Sequence, residues 1–161
     1  MIQIETTSHD PFFNQAFEDY VFRTFREGEV LLLWRNRPAV VVGCYQNICR
    51  EVHVRALLEQ NIPVVRRMSG GGTVYHDLGN LNYTLITGQS GALDYDRCLA
   101  PVLRALNALG VPAQKSRTCD MTVGGKKISG SAQKIANGRV LHHGTLLFDA
   151  DLTRLDEITT G

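Results

Sequence analysis

The sequence predicts an α+β fold, a mixed, largely antiparallel sheet with flanking helices, packed on one side. Three observations carry that expectation. β-like segments dominate the centre and the last third of the chain without the regular strand–helix alternation of a doubly wound parallel sheet. Asn137-Gly138, between two such segments, is a strong two-residue hairpin signal. Asp94–Leu109 is a long amphipathic helix suited to covering a sheet, with Leu99, Val102, Leu103, Leu106 and Leu109 on one stripe and Gly110 placed to end it.

The remaining elements follow in chain order. Ile2–Glu5 reads as an opening strand, and Asp10-Pro11 as a helix N-cap and first-turn proline, after which Phe13, Phe17, Tyr20 and Val21 recur at helical spacing up to Gly28. Val30–Trp34 and Ala39–Gly43 read as buried strands joined in a hairpin by Arg35-Asn36-Arg37-Pro38. Val52–Gln60 is expected to be helical and Pro63–Arg66 extended. Thr73–His76 and Leu81–Thr87 are strands on either side of Asp77-Leu78-Gly79-Asn80. Beyond Thr118 come Met121–Val123, a turn at Gly124-Gly125, Lys127–Gln133, the Asn-Gly turn and Val140–Phe148. Asp151–Ile158 begins a helix whose Leu152, Leu155 and Ile158 form a stripe that needs something to pack on.

At 161 residues and 17.9 kDa the chain suits one domain, which at this size buries about 70% of the surface exposed when unfolded. Apolar residues make up 43% and charged residues 20%, which excludes disorder and collagen-like structure. The longest uninterrupted apolar run, Val30–Trp34, is far short of the ~20 residues of a membrane-spanning helix, so no membrane partner is expected. The N-terminus carries acid where an export signal carries base. Cys44, Cys49, Cys98 and Cys119 are scattered, without a CxxC pair, which fits a reducing cytoplasm better than a disulfide framework or thiolate zinc site. A net charge of +1 argues against a bulk nucleic-acid binder. The charge is uneven: residues 115–139 hold six basic residues and only Asp120, a stretch suited to an anion.

Chemistry concentrates in three segments. Arg66-Arg67-Met68-Ser69-Gly70-Gly71-Gly72-Thr73-Val74-Tyr75-His76-Asp77 sets two guanidinium groups and a hydroxyl before three glycines. Glycines reach positive φ and expose main-chain N–H groups with no Cβ in the way, so a phosphate or adenylate can lie against the backbone. Arg67 is then able to fork onto a carboxylate or a phosphate. Neither GxGxxG nor GxxxxGK[ST] is matched. In the second segment, Asp120-Met121-Thr122-Val123-Gly124-Gly125-Lys126-Lys127-Ile128-Ser129-Gly130-Ser131-Ala132, a turn followed by small residues leaves room for Lys127 to neutralise developing negative charge, and Asp120 is a carboxylate for Mg²⁺. In the third, His142-His143-Gly144-Thr145-Leu146-Leu147, adjacent histidines on a strand face opposite ways and make a poor zinc site.

The three segments in series, with Trp34-Arg35-Asn36-Arg37-Pro38, Val41-Val42-Gly43 and Gln46-Asn47 before them, resemble the lipoate-protein ligase family over nearly the whole chain. The resemblance implies the biotin- and lipoate-ligase fold, related to class II aminoacyl-tRNA synthetase catalytic domains. It implies ATP and lipoate as substrates with Mg²⁺, giving lipoyl-adenylate and then a lipoylated lysine. The acceptors it implies are lipoyl domains of 2-oxoacid dehydrogenase complexes or the glycine cleavage H protein. By motif position, Arg67, Ser69, Gly70, Gly71 and Gly72 line the carboxylate and phosphate region. Thr73, Val74, the Tyr75 backbone, His76 and Asn80 surround the adenylate and acyl pocket. Lys127 matches the family's essential lysine, with Asp120 near magnesium, and Gly130, Ser131, Ala132, His143 and Thr145 complete the walls.

Two departures from the family stand out. Cys119 replaces the asparagine that many members place before the aspartate, which puts one nucleotide contact in doubt. Family catalytic domains also continue past the position of Gly161, and many add an accessory domain. Residues 1–161 are therefore expected to form a single, shortened catalytic domain: a fragment, a natural short form, or a chain completed by a C-terminal polypeptide. Two rival functions stay open. One is an ATP-independent octanoyl or lipoyl transferase working through a cysteine thioester, for which the position of Cys119 directly against Asp120 is unfavourable. The other is a non-catalytic protein that binds lipoate or a lipoyl domain.

Overall fold

A computed structural model describes residues 1–89 and 94–159, except for the side chains of residues 155 and 156. The strands are β1 (Ile2–Glu5), β2 (Val30–Trp34), β3 (Ala39–Val42), β4 (Val64–Arg66), β5 (Val74–His76), β6 (Asn80–Gly88), β7 (Gln114–Lys115), β8 (Met121–Val123), β9 (Lys126–Ser129), β10 (Ser131–Ala136) and β11 (Arg139–Leu147). The helices are α1 (Pro11–Thr24), α2 (Ile48–Glu51), α3 (Val54–Glu59), α4 (Tyr95–Ala108) and α5 (Leu152–Ile158). A five-stranded sheet runs β1-β2-β6-β11-β10, with smaller sheets β4-β3-β5 and β7-β8-β9. Pairing is antiparallel apart from β1 with β2 and β3 with β4, which is the mixed sheet expected.

Local signals set several elements. The Asp10 side chain accepts from Phe12 N and Phe13 N, capping α1 behind Pro11. Two-residue turns join β8 to β9 at Gly124-Gly125 (φ 55° and 78°) and β10 to β11 at Asn137-Gly138 (φ 51° and 71°). Positive φ at both central residues matches the twist of the paired strands, which Gly and Asn accommodate.

Four expectations are corrected. β2 and β3 form no hairpin: β2 lies between β1 and β6, and β3 between β4 and β5. The linking segment does not close a turn because Asn36 is drawn inward, where Asn14 Nδ2 donates to its Oδ1 (2.9 Å) and its Nδ2 donates to His76 Nδ1 (3.2 Å). Lys127–Gln133 breaks at Gly130 into β9 and β10, which join different sheets. Val52–Gln60 becomes α3 alone, because Val52 is buried and bridges Thr159. Finally, helices cover both faces of the large sheet. Val21 and Phe22 of α1 pack on Val30, Ile86 and Leu141, while Leu99 of α4 packs with Tyr83 and Met121 on the opposite face.

The small sheet has its own core of Val40, Val42, Val52, Leu57, Ile62, Tyr75 and Ile158. Ile158 is thus packed, whereas Leu152 of the same expected stripe is exposed and the Leu155 side chain lies outside the described residues. No helix among the described residues is long and apolar enough to cross a membrane.

Candidate active site

A cleft of about 270 Å³ opens between the α1 face of the large sheet and the segments that follow β4 and precede β10. Register along β11 and β6 gives it a direction: Thr145 is opposite Asn82, His143 opposite Thr84, and Leu141 opposite Ile86. Gly130 N donates to Thr145 Oγ1 (3.2 Å), so the Lys127 and Asp120 end lies beside Thr145.

Of the residues singled out in the sequence, Arg67, Gly71, Gly72, Thr73, Val74, His76, Asp120, Lys127, Gly130, Ser131, Ala132, His143 and Thr145 line the cleft together. Lys127 Nζ lies 3.1 Å from Asp120 Oδ2, with Gly130 beneath the pair, where a Cβ would sit 3.5 Å from Nζ. Lys126, next on the strand, is not part of the wall. Strand alternation places Val74 and His76 on the cleft and sends the Tyr75 side chain into the small-sheet core, where burial raises its pKa. Asn80 stands one step back, donating to Asn82 Oδ1 (3.0 Å). Gly70 and Ser69 are also behind the wall; Ser69 Oγ is 2.6 Å from His143 Nε2.

The arginines do not present themselves to an anion in the way the sequence suggests. Arg67 Nη2 donates to Gly70 O and Gly72 O (both 2.7 Å), Nη1 to Val41 O (3.2 Å) and Nε to Ser69 Oγ and Gly70 O (both 3.2 Å). Its guanidinium is buried, which lowers its pKa. Arg66 Nη1 likewise donates to Gly43 O and Gln46 O (both 2.8 Å). Both side chains therefore bind main-chain carbonyls, which leaves Lys127 as the exposed cation among the described residues that line the cleft. His76 is fully neutral: burial first, then Arg67 and His143, lower its pKa to about 3. With Asn36 donating to Nδ1, the proton sits on Nε2, which has no partner among the described residues.

Gln15, Trp34, Val41, Asn82 and Gly144 also line the cleft without having been singled out as site residues. Asn82 follows Asn80 by two on one strand, so period-two alternation points to it. Gln15 and Glu18 lie on the buried face of α1 but read, in the sequence, as a polar and acidic helix surface. Gly144 is required because a Cβ there would overlap the Tyr83 ring and hydroxyl.

A mixed sheet with helices on both faces is the fold of the lipoate and biotin ligases, of the class II synthetase type. The chain belongs to the lipoyl protein ligase A/B catalytic domain family, whose model matches residues 10–161. It is similar to P. falciparum LipL1, solved in complex with lipoate (28% identity, TM-score 0.92, covering 99% of this chain and 51% of that one). It is also similar to a bi-partite lipoate protein ligase from Thermoplasma acidophilum, studied with its E2 lipoyl domain (27%, 0.89, 99% and 66%). A third likeness is to lipoate-protein ligase A bound with ATP (27%, 0.87, 99% and 70%). The chain thus spans about half the length of LipL1 and about two thirds of the archaeal ligase.

Proposed function

We propose that this chain activates lipoate with ATP and transfers the lipoyl group to a lysine of a lipoyl domain. The observation that carries the reading is the Lys127–Asp120 pair on the wall of a cleft that Gly71 and Gly72 also line. A carboxylate is a poor acyl donor because its leaving group would be oxide. In the first step a lipoate carboxylate oxygen attacks the α-phosphorus of ATP and pyrophosphate leaves, forming lipoyl-adenylate. In the second, the acceptor lysine's neutral amine attacks the acyl carbonyl, AMP departs and the amine loses a proton.

The protein's task is to align the reactants, offset charge and exclude water from the mixed anhydride. Lys127 neutralises charge on the carbonyl and phosphate oxygens. The 70–72 backbone offers N–H groups to the nucleotide, and the His76 Nε2 proton, without a partner among the described residues, is available to an acceptor on the ligand. Mg²⁺, when bound, would supply charge neutralisation for the phosphates, and Asp120, a carboxylate on the cleft wall, is the residue that would hold it. Such an arrangement, one carboxylate plus substrate phosphates, suits magnesium.

The acceptors proposed are lipoyl domains of 2-oxoacid dehydrogenase complexes or the H protein. None of Cys44, Cys49, Cys98 and Cys119 lines the cleft, which favours the adenylate over a cysteine thioester. Incubation with lipoate, Mg²⁺ and α-labelled ATP is expected to yield lipoyl-adenylate and pyrophosphate. Folded protein that forms neither, or a thioester formed without ATP, overturns the reading.

A further inference from the structure

Glu18 is fully buried in α1, has no place in the reaction above, and is the end point of two hydrogen-bond strings. In one, Arg67 Nε donates to Ser69 Oγ (3.2 Å), the Ser69 hydroxyl donates to His143 Nε2 (2.6 Å), and His143 Nδ1 donates to Glu18 Oε1 (2.9 Å). In the other, Trp34 Nε1 donates to Thr84 Oγ1 (3.3 Å), and Thr84 donates to the same Oε1 (2.5 Å). The Arg67 guanidinium and the Trp34 indole only donate, a hydroxyl both donates and accepts, and a carboxylate oxygen accepts. Each string thus runs from a donor-only group at one end to Glu18 Oε1 at the other, with Ser69 and His143, or Thr84, relaying between them.

Ser69, His143 and Glu18 stand in the atom order of a hydrolase triad. Ser69 is nevertheless 2% exposed, lies behind the cleft wall, and has its oxygen occupied by Arg67. A nucleophile must reach its substrate, and this hydroxyl does not. What the string does reach is the glycine loop, because the same Arg67 guanidinium binds Gly70 O and Gly72 O. With the carbonyls held on the arginine side, the loop's main chain is fixed relative to the cleft. Side chains from two strands of the large sheet, Trp34 of β2 and His143 of β11, and from the segment after β4, Arg67, are thus linked to one carboxylate on α1.

We propose that Glu18 is a positioning residue that, through His143 and Ser69, holds Arg67 and the 70–72 loop in the geometry that receives the nucleotide. The kinetic consequence rests on the adenylation reading; the orientation of the loop does not.

The test therefore has two arms. In the ligand-free chain, ¹⁵N relaxation gives order parameters for Gly70, Gly71 and Gly72 and for the Trp34 indole, with Gly124 and Gly125 as the internal control. Wild type and Glu18→Gln, whose amide oxygen still accepts both bonds, are expected near ~0.85 at the loop, and Glu18→Ala below ~0.6. Ser69→Ala, which removes one hydroxyl from the middle of the string, loosens the loop in the same direction and decides the matter if Glu18→Ala does not fold.

In the second arm, lipoate-dependent pyrophosphate exchange, Glu18→Ala and Ser69→Ala are expected to raise KM for ATP about tenfold with a smaller change in kcat, and Glu18→Gln to stay within about twofold. Unchanged order parameters at 70–72 in folded Ser69→Ala overturn the proposal, as does covalent labelling of Ser69 by a fluorophosphonate, which would make it a nucleophile. An inactive wild type with the expected order parameters overturns the adenylation reading alone.

Discussion

Acidification between pH 7.5 and 5 is expected to destabilise this domain through two buried histidines on opposite faces of the large sheet. His76 stands beside the cleft and His142 lies under α4, and burial lowers both pKa values from 6.5 to about 3. The causes after burial are Arg67 and His143 for His76, and His143 for His142. Each ring also accepts a hydrogen bond at Nδ1 from an amide, Asn36 Nδ2 at 3.2 Å and Gln133 Nε2 at 2.9 Å, and a proton there would set donor against donor. The unfolded chain takes up these two protons as pH falls through 6.5, while the folded chain refuses them until about pH 3. Stability is therefore complete above pH 6.5 and is lost on the way down.

At pH 5 the gap of ~1.5 units corresponds to about 2 kcal/mol per histidine, so about 4 kcal/mol out of a typical 5–15. Urea denaturation at half-unit steps from pH 7.5 to 5 reads this directly. His142→Gln, which removes one of the two titrating groups, is expected to halve the slope in that window whatever its absolute stability. A total change below about 1 kcal/mol, or identical slopes in wild type and variant, would refute the argument.

Two further outcomes follow from the site. Lys127→Ala is expected to lower adenylate formation about 10²–10³-fold while Lys126→Ala retains most of it, since alternation on β9 places only Lys127 on the cleft wall; equal losses in the pyrophosphate-exchange assay would mean that the wrong lysine has been assigned. Gly43→Ala would drive a Cβ into the main-chain oxygen of Gly71 and to 3.3 Å from Arg67 Nη2, and is expected to cost about 1–3 kcal/mol of stability. Gly72→Ala, with open space at its Cβ, is expected to stay within about 0.5 kcal/mol; equal urea midpoints for the two variants would contradict the close approach.

Much of this domain is decided by short stretches of chain. Asp10-Pro11 caps and starts α1, Gly110 ends α4 at φ 83°, and Gly124-Gly125 and Asn137-Gly138 turn their hairpins, because each acts on backbone within a few residues. The glycine block, Lys127 and Thr145 were equally legible, since a strand's period of two says which of its side chains share a face. Tertiary structure decided what depends on distant partners. Val30–Trp34 and Ala39–Val42 look like a hairpin until Asn36 is drawn in by Asn14 and His76. Arg67 looks like an anion fork until the loop carbonyls it clamps fold back on it. Glu18 is indistinguishable in sequence from a solvated helix acid, because the histidine that defines it is 125 residues away and a hydrogen bond of that span leaves no local pattern.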